Sequence, residues 1–294
     1  MGLPAMKIGA FASFMTPVAS PQSILEIGRH ADAAGLDSLW MGEHVVLFDE
    51  MEFPYPGSPD GKLPVPEGGG LVDTVVTLSF LAGVTENIRF GTGVSLIPQR
   101  NPIYTANEFA TLDYLTGGRL DLGIGVGWCK EEVTACGYTF EDRGERCDEI
   151  LDIMKKLWTE PVVTHEGKHF QFKDCRMDPK PVQKPHIPII VGGFSKPAMR
   201  RCARYGDGWL GFGINPEITA MALEGIDAAL AAEGRTREGF EIIVTPGAAL
   251  DLDTAREFQA LGVDRLVPLL GSDEPDLARR RIDDLVEIAN TVGG

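Results

Sequence analysis

The sequence predicts an α/β fold, a single (β/α)8 TIM barrel running over residues 1–294 as one domain. Three observations predict it. Short apolar stretches alternate with amphipathic helical ones along the whole chain, eight of each. Most of the apolar stretches lack polar alternation, as parallel strands covered on both faces do. No dinucleotide fingerprint follows the first strand, which disfavours the open doubly wound sheet that the same alternation could build.

Met6–Phe11 is the first strand. The run Lys7–Met15 faintly resembles the apolar part of a signal segment, but its loss would open the barrel. Pro21–Ala34 carries Ile24, Leu25, Ile27 and Ala31 at helical spacing and stops before Gly35, a natural helix terminator. Strand Ser38–Met41 is followed by a Pro- and Gly-rich insertion, Val45–Gly70, and helix Val72–Thr85. Strand Ile88–Ser95 leads to helix Pro102–Leu115. Strand Leu120–Gly125 leads to a second insertion, Gly127–Glu141, and helix Asp142–Leu157. A third insertion, Pro161–His186, precedes the fifth strand and alternates like a hairpin over Val162–Phe172. The last four units pair Ile187–Val191 with Lys196–Tyr205, Gly208–Phe212 with Pro216–Glu233, Glu241–Thr245 with Thr254–Leu261, and Arg265–Leu269 with Asp276–Asn290. Pro21, Pro102 and Pro216 stand near helix starts, where a missing N–H does no harm. The insertions after strands 2 and 4 fall at the C-terminal face, where barrel enzymes keep their sites.

Composition narrows the partners. With 43 acidic against 27 basic residues, the net charge of −16 repels polyanions, so no nucleic-acid partner is expected. The five cysteines are scattered without a C-x-x-C pair, which points to reduced thiols in a cytoplasm, with no disulfide frame and no structural zinc. No apolar run approaches the ~20 residues a membrane span needs.

Several motifs have competing readings. His165-Glu-Gly-Lys-His169 matches the zinc-protease pattern by letters, but that chemistry needs both histidines on one helix face, and this context is a hairpin. Glu43-His44 ends strand 2 before a long loop, a position that admits either proton transfer or a structural histidine. The glycines of Gly91-Thr-Gly93-Val94 admit a bulge under a flat ligand or a corner of the barrel. Those of Gly123-Ile-Gly-Val-Gly127 admit either room at the barrel mouth, with Trp128 as a pocket wall, or close packing under a loop. Gly192-Gly193-Phe194-Ser195 enters a helix whose free N–H groups suit a phosphate, or it is an ordinary cap.

Taken together these residues resemble the bacterial luciferase-like monooxygenase superfamily, in particular its branch dependent on the deazaflavin coenzyme F420. The resemblance rests on Gly35–His44, Ile88–Pro102, Phe109–Trp128, Arg143–Glu149, Pro179–Pro185, Gly192-Gly193 and Arg204–Trp209, in this order. It implies a ring lying across the strand ends. It further implies a non-prolyl cis peptide at Gly93–Val94 behind the ring, a phosphate at Gly192, Gly193, Phe194 and Ser195, and ring contacts from Glu43, Gly127 and Trp128. His44 matches a histidine that assists proton or hydride transfer. Where some relatives carry a proton-donating glutamate, this chain has Cys129 and Lys130, then Glu131 and Glu132, neither of which is assigned a role. The implied activity is hydride transfer between F420 and a small apolar or conjugated substrate, with FMN and oxygen as the alternative cofactor chemistry and a homodimer as the implied assembly. A non-catalytic flavin-binding barrel and a metal-dependent hydrolase are the readings from other classes.

Overall fold

The computed structural model describes residues 5–58 and 60–293. Strands β1 (Lys7–Ile8) and β2 (Ala10–Phe11) are two halves of the predicted first strand, and Gly9 separates them. They stand at opposite ends of one parallel path that runs β1–β12–β11–β10–β9–β6–β4–β3–β2. Along it lie β3 (Ser38–Met41), β4 (Arg89–Thr92), β6 (Leu120–Gly125), β9 (Ile189–Gly192), β10 (Gly208–Ile214), β11 (Glu241–Pro246) and β12 (Arg265–Leu266). The first strand therefore pairs with the second on one side and the eighth on the other. The nine segments form a nearly closed barrel, the predicted fold class.

The helices return the chain along the outside: α1 (Pro21–Ala34), α2 (Thr74–Ala82), α3 (Pro102–Thr116), α4 (Lys130–Ala135), α5 (Arg143–Thr159), α6 (Lys196–Tyr205), α7 (Pro216–Ala232), α8 (Leu252–Ala260) and α9 (Pro275–Val292). Local chemistry sets their ends. Ser20 and Ser23 form a reciprocal cap on α1, and Asn101 and Asn215 cap helices that open with proline. The insertion before β9 holds the expected hairpin, β7 (Val163–Glu166) against β8 (Gln171–Cys175). His165 and His169 accordingly sit in a hairpin, both bound to the α5 residue Glu149: the His165 ring 3.1 Å from its carboxylate, the His169 N–H donating to it.

Two expectations need correction. The third strand is not continuous over Ile88–Ser95. It breaks after Thr92 and resumes as β5 (Ser95–Leu96), which pairs with β6; the Gly93–Val94 peptide between them is cis. The second insertion is not all loop, since it contains α4, whose six residues are too few to show a helical period in the sequence.

Two cores support the barrel. Between sheet and helices lies the main apolar cluster, while Phe11, Trp40, Ile190, Leu210, Ile243 and Val267 fill the interior. Trp40 takes the space a larger residue at Gly91 would need, a Cβ there lying 2.1 Å from the indole. At the N-terminal ends of the strands, buried Arg265 bonds Asp121 at 2.7 Å and Glu241 at 2.9 Å, and Arg89 bonds the other oxygen of Asp121 at 2.5 Å. That charged cluster closes the bottom of the barrel, so access is from the C-terminal face.

Candidate active site

At that face the strand ends enclose a cavity of about 440 Å³. Gly42, Glu43 and His44 after β3, Gly93 and Val94 after β4, Gly125 to Trp128 at the end of β6, and Gly192, Gly193 and Phe194 at the end of β9 all line it. The sequence-predicted residues thus converge here, with one exception. Ser195 lines an adjoining chamber of about 250 Å³ and caps α6 by accepting from the Ala198 N–H at 3.3 Å. The two chambers meet along Gly125, Val126 and Gly192.

The floor is built by Val94. A Cβ on Gly125 would stand 2.5 Å from one Val94 methyl, and a Cβ on Gly192 2.8 Å from the other. These glycines make room for the Val94 side chain, and both also line the cavity. Gly193 is needed for another reason: its φ of 110° belongs to glycine. Its carbonyl accepts from the Trp209 indole at 2.9 Å, and Phe194 packs edge-on against the same ring.

Glu43 and His44 have different surroundings. Glu43 is 5% exposed, and its carboxylate accepts from the Ser95 hydroxyl at 2.5 Å and the Leu96 N–H at 2.9 Å, with Arg100 on its other oxygen. It therefore holds the segment after the Gly93–Val94 peptide while lining the cavity. His44 instead lies against Trp128, edge-on at 5.8 Å, and its Nδ1 is 2.8 Å from Glu132. Glu132 is buried, and its second oxygen accepts the Val45 N–H at 2.7 Å. The sequence offered no signal for this partner, because the contact spans 88 positions and both acids of Glu131-Glu132 read alike.

The remaining wall is apolar: Phe11, Met15, Leu210, Phe212 and Leu269 from the barrel, Leu63 and Leu71 from around the first insertion. Tyr55 leans on Trp128 at 5.4 Å, and burial pushes its hydroxyl above the ordinary range, so it stays a protonated donor. Burial holds the Cys129 thiol above the usual range, and its Sγ lies 3.5 Å from the Glu131 carboxylate. In the adjoining chamber Arg143 bonds the carbonyls of Gly127 and Phe140 and has no ion-pair partner among the described residues. Among those residues no group of three or more metal-ligating side chains comes together, and no helix is long and apolar enough to cross a membrane.

An apolar cavity at the barrel mouth, a helix start beside it and a histidine in its lining place the candidate site where barrel enzymes keep theirs. Comparison with known proteins agrees. The chain belongs to the luciferase-like monooxygenase family, whose sequence profile matches residues 6–267. It is 31% identical over 233 residues to the F420-dependent glucose-6-phosphate dehydrogenase of Kineococcus radiotolerans, covering 76% of this chain and 64% of that one. In fold it is similar to an F420-dependent secondary alcohol dehydrogenase in complex with an F420–acetone adduct, with a TM-score of 0.78 at 17% identity over 98% of this chain and 99% of the other. It is also similar to the oxygenating constituent of 3,6-diketocamphane monooxygenase of Pseudomonas putida in complex with FMN, with a TM-score of 0.73 at 19% identity over 100% and 98%. The similar proteins thus include users of both cofactors, and this chain is a luciferase-like oxidoreductase or monooxygenase.

Proposed function

We propose that the chain is an F420-dependent oxidoreductase that transfers hydride between the coenzyme and a small apolar or conjugated organic substrate. The residues present fit such a coenzyme. The cavity offers a slot over the Gly93–Val94 peptide, and the adjoining chamber supplies Arg143 and the positive end of α6 for an anionic tail.

His44 carries the proposal. Hydride addition to a carbonyl or polarised double bond leaves an anion that needs a proton, and the His44 imidazole in the lining is a group that can take up and deliver one. Its Nδ1 is engaged by Glu132, which leaves Nε2 without a hydrogen-bond partner among the described residues and able to hold that proton for the substrate. Trp128, Tyr55 and the first insertion orient the substrate and exclude water. Among the described residues the cavity lining contains no lysine or arginine, so a phosphorylated substrate would bury its charge unpaired by them. When bound, the deazaflavin supplies two-electron hydride chemistry, which the protein positions and provides with protons.

Titration of the purified protein with F420 and, separately, FMN tests this, following ring absorbance or tryptophan quenching. Tight F420 and weak FMN binding is the expected result. The reverse preference would replace hydride transfer with an oxygen-using monooxygenase, and binding of neither would overturn the assignment of the cavity.

A further inference from the structure

Resting on the reading of His44 as the proton-handling group, we infer that Glu132 is a positioning residue that decides which nitrogen of His44 carries hydrogen. Both oxygens of Glu132 are engaged, one by His44 Nδ1 and the other by the Val45 N–H. A carboxylate only accepts, so Nδ1 is the protonated nitrogen of the neutral ring, and Nε2 presents a lone pair toward the cavity. Turning the ring over would place a carbon against the carboxylate, and Trp128 stands beside the ring, edge-on at 71°. Neutral His44 thus takes a proton at Nε2, and the imidazolium gives one up from the same atom.

The second contact makes the requirement specific to a carboxylate. His44 Nδ1–H and Val45 N–H are both donors, and Glu132 meets them with two acceptors. Glutamine has almost the same shape but offers one acceptor and one donor. With glutamine, either Val45 loses its acceptor or the histidine must accept at Nδ1 and move its hydrogen to Nε2. Val45 is the first residue of the insertion that walls the cavity, so one buried side chain sets both the tautomer and the root of that loop.

The decisive measurement is the ¹⁵N spectrum of histidine-labelled, cofactor-free protein at mildly alkaline pH, assigned through the loss of the His44 signals in His44→Asn. The wild type is expected to show the Nδ1–H tautomer, and Glu132→Gln to lose it in whole or in part. Turnover in Glu132→Gln falls on the order of 10²-fold in kcat with KM little changed, and Glu132→Asp, which keeps two acceptors, recovers part of it. An Nε2–H ring in the wild type, or an unchanged spectrum in Glu132→Gln, overturns the inference. If Glu132→Gln does not fold, the wild-type tautomer alone carries the test. An Nδ1–H ring in a protein that binds neither F420 nor FMN would overturn the proposed function and leave the role of Glu132 standing. An Nε2–H ring in an active F420 enzyme would do the reverse.

Discussion

Glu43 and His44 follow β3 as neighbours, yet their side chains reach different partners. Glu43 meets Ser95, Leu96 and Arg100, while His44 meets Glu132 and Trp128. Adjacent residues leaving a strand project to opposite sides, which is how one dipeptide can serve both the frame and the chemistry. His44→Asn separates the two roles. Asparagine retains a side-chain N–H for Glu132, so the thermal midpoint and coenzyme affinity should stay near wild type, whereas kcat should fall about 10²- to 10⁴-fold. Equal losses in coenzyme affinity and turnover would instead make His44 a binding residue. Glu43 lines the cavity while its carboxylate holds Ser95, Leu96 and Arg100.

At the scale of elements, the break between β4 and β5 organises the floor. Val94 is wedged between Gly125 on β6 and Gly192 on β9, so three consecutive barrel strands interlock at one side chain. Gly125→Ala places a methyl 2.5 Å from a Val94 methyl, an overpacked contact with little room to relax. It should cost about 1–3 kcal/mol, read as a lowered denaturant midpoint, and weaken coenzyme binding by displacing the floor. Unchanged binding would mean that the ring does not rest on Val94. Helix α4 plays the corresponding part on the rim. Besides Glu132, its Lys130 bonds the Glu52 carboxylate at 2.6 Å and its Glu131 accepts the Glu52 N–H at 2.8 Å, so it grips the first insertion at two places. Nothing in the sequence marked this helix, because one and a half turns carry no periodicity and its binding partners lie some 80 residues earlier.

Across the whole molecule the bottom of the barrel carries a large share of the electrostatic burden. Burial pushes the Asp121 carboxyl up, but Arg265 and Arg89 outweigh it and hold it below the usual range. Asp121 therefore stabilises the fold fully above the ordinary carboxylate range, and that contribution is lost as pH falls through its lowered value. Arg265→Leu leaves buried Asp121 with Arg89 alone and half-buried Glu241 without its cation, and chemical denaturation at neutral pH should show a loss of about 3 kcal/mol. A loss under about 1 kcal/mol would mean that water reaches the cluster. On the outside, adjacent helices α2 and α3 expose Val76 (68%), Phe80 (46%), Tyr104 (72%) and Leu115 (72%), although both also bury apolar residues on their inner faces. Exposed apolar side chains on adjacent helices are the kind of surface two copies of a chain can share. The expected state is a homodimer through this surface, detected by sedimentation and converted to monomer by Val76→Asp with Phe80→Asp. A monomeric wild type would refute it.

The order of eight strands and eight helices, with most of their limits, was determined by the sequence alone. Strand burial, helix spacing and cap residues are local properties, written within a few positions of where they act. The resemblance carried by Gly93-Val94, Gly192-Gly193 and His44 located the mouth of the cavity for the same reason, since each motif sits at the end of its own strand. Only the tertiary structure decided that the Glu43 carboxylate is bound within the frame, that Gly125 serves Val94, and that Glu132 meets His44. Those facts depend on side chains from distant strands arriving at one point. Which of several chemically equivalent acids or glycines arrives there is fixed by the closure of the barrel, not by the residues beside it in the chain.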